Sequence, residues 1–184
     1  MRTLITTLLA FAIVSPALIA GQKPAPAGDP IFVVETAKGG FEIRLFRADA
    51  PKSVEHIVAL IRRSYYRGQR IHRVTSSPPL VQFGDPQSRD MSRKDYWGSG
   101  GSGRAINAFE LVKKYTHRRG MVGLAHSGNP MAADSQLYIM TAASPGLDGK
   151  HAIVGQVTAG MAVVDKLAVT DRLVQAYLKG EGPK

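Results

Sequence analysis

Apolar positions along the chain fall in short runs whose spacing switches between alternation and helical periodicity, and the predicted elements follow from those switches. Ile31-Phe32-Val33-Val34 is a continuous apolar run of strand length, and Phe41-Glu42-Ile43-Arg44-Leu45 alternates with one apolar face. Lys38-Gly39-Gly40 lies between them as a turn, so a hairpin is predicted to open the domain. After Asp49 the period lengthens. Pro51 suits a first helical turn, Val54, Ile57, Val58 and Ile61 share one helix face, and Arg62 and Arg63 complement the negative end of the helix dipole. Ile71 to Val74 and Leu80 to Asp85 read as two strands, with Gly68 ahead of the first and Ser76-Ser77-Pro78-Pro79 breaking the pattern between them. Phe109 to Tyr115 is a short helix or a turn. Met121 to Ala125, Leu137 to Met140 and Ala152 to Val154 supply further strands, and Met161 to Leu167 a second helix. Many short strands with two helices predict a closed antiparallel barrel rather than a parallel sheet.

Composition narrows the class. At 184 residues and 44% hydrophobic, the chain suits one globular domain with a sizeable core. Met1-Arg2 and the apolar run from Leu4 to Ala20 predict a secretory signal peptide at 1–20, cleaved after Ala20, with export to a periplasmic compartment; the alternative is an uncleaved membrane anchor. Pro24, Pro26, Gly28 and Pro30 mark residues 21–30 as a linker. The chain has no cysteine, which excludes a disulfide framework, a thiol nucleophile and thiolate-bound zinc. His56, His72, His117, His126 and His151 show no paired ligand spacing, so no metal is expected.

The net charge of +10 gathers at Arg62-Arg63 with Arg67 and Arg70, at Arg89, Arg93 and Lys94, and at Lys113-Lys114 with Arg118-Arg119. These clusters read as a solvated basic face with loose attraction to anionic surfaces or acidic unfolded clients, not as a specific nucleic-acid site. Gly98-Ser99-Gly100-Gly101-Ser102-Gly103 formally matches a dinucleotide-binding fingerprint. No convincing strand precedes it and no acidic residue follows at the distance that would hold a ribose, so no dinucleotide cofactor is expected.

An arginine set beside a histidine in a strand is costly to bury unless its charge is used, so Arg73 should emerge on a groove or find a partner. The Arg73 strand, the strand ending in Gln82-Phe83-Gly84-Asp85, the glycine-rich stretch, Asp134-Ser135-Gln136-Leu137-Tyr138-Ile139 and Gly146-Leu147-Asp148-Gly149-Lys150-His151 occur in an order that resembles the cyclophilin-type peptidyl-prolyl isomerases. The resemblance runs from about Ile31 to Thr170. It places a cyclophilin-like domain at 31–171 and a short, loosely held tail at 172–184. It also implies a mainly β fold: a closed eight-stranded antiparallel barrel capped by two helices, acting as a monomer without cofactor on X-Pro bonds of peptides or unfolded exported clients.

Carried over position by position, the resemblance makes Arg73 the catalytic residue, acting on the twisted amide in the transition state. Gln82 and Gln136 become the glutamines that hold substrate backbone and arginine, and Leu80 stands at the pocket methionine. Ala125 and His126 lend backbone contacts, Tyr138 stands at a pocket phenylalanine, Leu147 and His151 lie at the groove edge, and His72 is structural. Three departures thin the apolar pocket. Pro79 stands for one pocket phenylalanine in a segment one residue longer than the family's, Tyr138 for another, and Gly146 for the groove tryptophan. They keep open a second reading, a cyclophilin-fold peptide-binding or chaperone module with weak or no isomerase activity.

Overall fold

A computed structural model describes residues 28–183; the expected leader and residues 21–27 of the linker lie outside the described residues. The first hairpin forms where alternation predicts it. Strand β1 (Ile31–Thr36) pairs antiparallel with β2 (Gly39–Leu45), turning Phe32, Val34, Phe41, Ile43 and Leu45 into the core. Helix α1 (Pro51–Arg62) starts on its proline and buries Val54, Ile57, Val58, Leu60 and Ile61. Its N-terminus is capped from far along the chain: the Glu110 carboxylate accepts from the amides of Lys52 and Ser53 at 3.0 and 2.8 Å. Two of the unpaired N–H groups at the positive end of the helix are thereby satisfied by an anion.

The other strands are β3 (Arg73–Ser76), β4 (Pro79–Phe83), β5 (Met121–Leu124), β6 (Leu137–Met140), β7 (Ile153–Ala159) and β8 (Leu173–Leu178). All pairings are antiparallel, in the order β3-β4-β6-β5-β7-β2-β1-β8. The sheet is an open, curled half-barrel and not the closed barrel expected, because β3 and β8 share no ladder. Between these edges, residues 68–72 meet residues 170–173 through four backbone hydrogen bonds of 2.8–2.9 Å and one bridge, Arg70 with Arg172. Gly68 at φ +79 and Thr170 at φ +83 interrupt the extended course on both sides. The first strand of the groove accordingly begins at Arg73 rather than at Ile71, which is buried in the irregular run before it.

Two other expectations are corrected. Helix α2 spans only Met161–Val164, since Lys166 and Leu167 donate to carbonyls three residues back and tighten the chain out of α geometry. The tail expected at 172–184 is not loose over Leu173–Leu178, where β8 pairs with β1 and buries Leu173, Ala176 and Leu178. The register jumps from Glu35 opposite Gln175 to Thr36 opposite Leu173, leaving Val174 bulged and exposed. That extra residue breaks the period-two pattern by which the strand could have been read. Phe109 to Tyr115 carries a turn at Lys113-Lys114 and no helix.

Inside the curl the core is built around Phe32, Phe41, Tyr66 and Phe83, with ring centroids 5.2 to 6.5 Å apart. A second, smaller apolar cluster holds Phe46, Leu80, Met121, Tyr138, Met140 and Ile153, against which Tyr115, Ala125 and Leu147 pack. Along β4 and β6 its members alternate with those of the main core, so it lies on the sheet's other face.

Candidate active site

The site grows from one rung of the sheet. Arg73 on β3 stands opposite Gln82 on β4, Gln82 opposite Tyr138 on β6, and Tyr138 opposite Gly123 on β5. Directly opposed residues share a face, so the strand register alone lines up an arginine, a glutamine and a tyrosine.

A hydrogen-bond relay crosses this rung. Arg73 Nη1 donates to Gln82 Oε1 at 3.1 Å, and Gln82 Nε2 donates to Gln136 Oε1 at 2.8 Å. Gln136 Nε2 in turn donates to the carbonyls of Gly98 and Gly100 at 2.9 and 2.7 Å. The guanidinium is exposed and keeps further donors for another acceptor, since five N–H groups radiate from its plane. At the far end of the relay two carboxylates fix the glycine-rich loop. Buried Asp85 accepts from the amides of Gly98 and Gly100, and Asp134 from those of Ser102 and Gly103 and from the Ser102 hydroxyl. Four amides of the glycine-rich loop, those of Gly98, Gly100, Ser102 and Gly103, are thereby bonded to carboxylates.

All nine residues singled out from sequence, Arg73, Leu80, Gln82, Ala125, His126, Gln136, Tyr138, Leu147 and His151, line one cleft of about 880 Å³. That volume suits a small ligand or a few residues of peptide. Leu80, Tyr138 and Leu147 supply apolar wall. His126 and His151 stack with centroids 4.1 Å apart, the first donating to the Lys150 carbonyl at 3.0 Å and the second to the Leu124 carbonyl at 3.3 Å. Burial holds the His151 imidazole below its ordinary range, and the neighbouring His126 pushes the same way.

Sequence reasoning missed three contributors. Pro78, and not Pro79, lines the cleft; it stands in the two-residue turn between β3 and β4, which the pairing of Ser76 with Pro79 closes. His72, read as structural, lies on the cleft wall with both ring nitrogens buried. Burial lowers its pKa against the opposing field of Asp85. Trp97, the chain's one tryptophan, lines the same cleft from the head of the glycine-rich loop, its indole N–H donating to the Asp90 carbonyl at 3.1 Å. A lone aromatic entering a glycine run was the available signal. Among the described residues, no three histidine, aspartate or glutamate side chains converge as metal ligands would.

The family model for cyclophilin type peptidyl-prolyl cis-trans isomerases matches residues 31–177. The chain belongs to that family. A Helicobacter pylori peptidyl-prolyl cis-trans isomerase is 31% identical over 140 residues, covering 75% of this chain and 80% of the relative. The mouse peptidylprolyl isomerase domain and WD repeat-containing protein 1 is also 31% identical, over 136 residues, and there the chain spans only 20% of the relative's length. Among solved cyclophilins, one from Cryptosporidium parvum, crystallised in the presence of the dipeptide Ala-Pro, superposes with a TM-score of 0.64 at 26% identity, covering 74% of this chain and 84% of that one. The matched family region takes in β8 up to Tyr177, in accord with the strand found there.

Proposed function

We propose that the protein is a peptidyl-prolyl cis-trans isomerase that binds X-Pro segments in the 880 Å³ cleft and stabilises the twisted amide with Arg73. The observation that carries this reading is the rung Arg73, Gln82, Tyr138: a guanidinium anchored by one N–H beside an apolar wall. Prolyl isomerisation breaks no covalent bond. Its barrier of about 18–20 kcal/mol is amide resonance. As the amide twists, the prolyl nitrogen regains a lone pair, and a guanidinium N–H hydrogen-bonded there stabilises the transition state more than either planar ground state. Gln82 sets the guanidinium plane, Gln136 ties Gln82 to the glycine-rich loop, and Leu80, Tyr138 and Leu147 take the pyrrolidine ring. The Ala125 amide already donates to the Gln136 carbonyl at 3.0 Å, which leaves the Ala125 carbonyl to meet a peptide N–H.

The clients proposed are unfolded exported proteins, reached by secretion through the leader at 1–20. The basic surface adds loose attraction to acidic segments, and the protein works as a monomer without cofactor. A second reading, peptide binding without appreciable catalysis, is favoured by Gly146. The position that resembles the groove tryptophan is an exposed glycine with open space around it. Exchange spectroscopy on X-Pro peptides with the purified protein decides between them. Interconversion faster than the uncatalysed tens of seconds supports the enzyme, and binding at the background rate supports the module.

A further inference from the structure

The phenol of Tyr138 is engaged in a polar chain beneath the cleft. Its hydroxyl lies 2.8 Å from Nε2 of His117, a histidine only 2% exposed, whose Nδ1 lies 2.7 Å from Asp148 Oδ1. The same carboxylate oxygen accepts the backbone N–H of His117 at 2.7 Å. Burial alone would raise the Asp148 carboxyl, but these two hydrogen bonds outweigh it and hold the group below its ordinary range. An ionised carboxylate only accepts, so Nδ1 of His117 donates to Asp148; in the neutral imidazole Nε2 is then the acceptor, and the tyrosine O–H donates to it. One tautomer therefore satisfies every group in the chain.

The chain joins two walls of the cleft. Tyr138 belongs to β6, while Asp148 sits in the turn between Leu147 and His151, both of which line the cleft. His151 donates its backbone N–H to Leu147 at 3.3 Å, and its ring meets Tyr138 nearly edge-on, with centroids 5.9 Å apart. A phenylalanine at position 138 could be held by packing alone. A tyrosine brings a buried hydroxyl that needs a partner, and His117 is that partner.

We infer that His117, fixed by Asp148, is a positioning residue of the proline pocket, holding the Tyr138 ring and the Leu147 to His151 turn in one binding-competent arrangement. The inference rests on the reading of the cleft as an X-Pro site. His117 touches no substrate and acts through Tyr138, so its effect falls on binding more than on the chemical step.

The test compares wild type, His117→Phe, His117→Gln and the double variant His117→Phe with Tyr138→Phe. An Ala-Pro-containing tetrapeptide is titrated against Trp97 fluorescence for Kd, and exchange spectroscopy gives kcat and KM. His117→Phe strands the tyrosine hydroxyl, and Kd and KM are expected to rise about tenfold with kcat changed less than about threefold. His117→Gln, which can still donate to Asp148 and accept from Tyr138, stays within about threefold of wild type and keeps the test open if the phenylalanine variant fails to fold. The double variant removes the stranded hydroxyl and leaves Asp148, 28% exposed, to water, so it binds more tightly than His117→Phe alone. Unchanged binding in His117→Phe, or a double variant no better than the single, overturns the positioning role while wild-type activity upholds the cleft reading. A wild type that neither binds nor isomerises X-Pro peptides overturns both.

Discussion

Gly123 and Tyr138 face each other across β5 and β6, and the phenol end of Tyr138 fills the space that a β-carbon on Gly123 would occupy. The tyrosine can therefore lie over the neighbouring strand, its hydroxyl reaching His117. Position 123 needs glycine for room and not for backbone freedom, since it is not among the positive-φ glycines.

Gly123→Ala is expected to displace the ring, destabilising the protein by about 1–3 kcal/mol and lowering its melting temperature by several degrees. Peptide affinity should fall in parallel. Adding Tyr138→Phe does not relieve the damage, because the ring's Cζ as well as its oxygen occupies that space. Calorimetry and Trp97 fluorescence titration of both variants check this, and a fully stable Gly123→Ala would contradict the packing argument.

Arg73→Ala should lower kcat/KM about a hundredfold or more while leaving the melting curve nearly unchanged. Arg73 is exposed and, among the described residues, its side chain hydrogen-bonds to Gln82, so little of the fold depends on it. Arg73→Lys should fail almost as badly, because an ammonium lacks the planar fork that holds Gln82 with one N–H while presenting another. Exchange spectroscopy beside circular dichroism measures both; an alanine variant that keeps its rate removes Arg73 from the mechanism.

Acid should weaken the fold through His72 and His151. Both imidazoles are held below the ordinary 6.5, in each case chiefly by burial. The unfolded chain therefore binds more protons than the folded one once pH drops toward 6.5. Stability is fully present above that value and is lost as pH falls through it toward the depressed folded values. The lowered carboxylates Asp134 and Asp148 act only below their ordinary 3.8 and do not enter this window. The urea midpoint is expected to be lower at pH 5.5 than at pH 7.5, and His72→Phe to flatten the difference; equal midpoints in wild type would refute the assignment.

Asp85→Asn should loosen the glycine-rich loop. The carboxylate is buried and accepts three backbone amides, those of Gln87, Gly98 and Gly100, which a single amide oxygen cannot match. A loss of about 1.5–3 kcal/mol in urea unfolding is expected, with new protease cleavage in residues 98–103. Activity should fall as well, since Gln136 depends on the carbonyls of Gly98 and Gly100. Resistance of the loop to proteolysis in the variant would show that the carboxylate does not hold it.

Export with removal of the leader predicts a secreted chain beginning at Gly21. Intact mass of the exported protein measures it directly, and a chain still starting at Met1 would favour the membrane anchor.

Local pattern was enough for the elements whose period is undisturbed. The opening hairpin and the apolar face of α1 follow from spacing alone, because alternation and helical periodicity each commit a set of residues to one side. Motif order was likewise enough to gather nine residues that share one cleft. The last strand escaped because the bulge at Val174 splits its apolar residues between two phases. That Pro78 rather than Pro79 lines the cleft was not legible, because the place of the turn between β3 and β4 is fixed only by the pairing of Ser76 with Pro79.

The sequence by itself determined which side chains gather at the cleft, their order, and the face that the undisturbed strands turn inward, since those depend on residue type and neighbour spacing. Tertiary structure alone decided what those side chains touch. The open sheet, the Glu110 cap on α1, Trp97 at the cleft and the chain from Asp148 through His117 to Tyr138 all join residues far apart in the chain. Such contacts are set by strand register and loop closure, which no local period encodes.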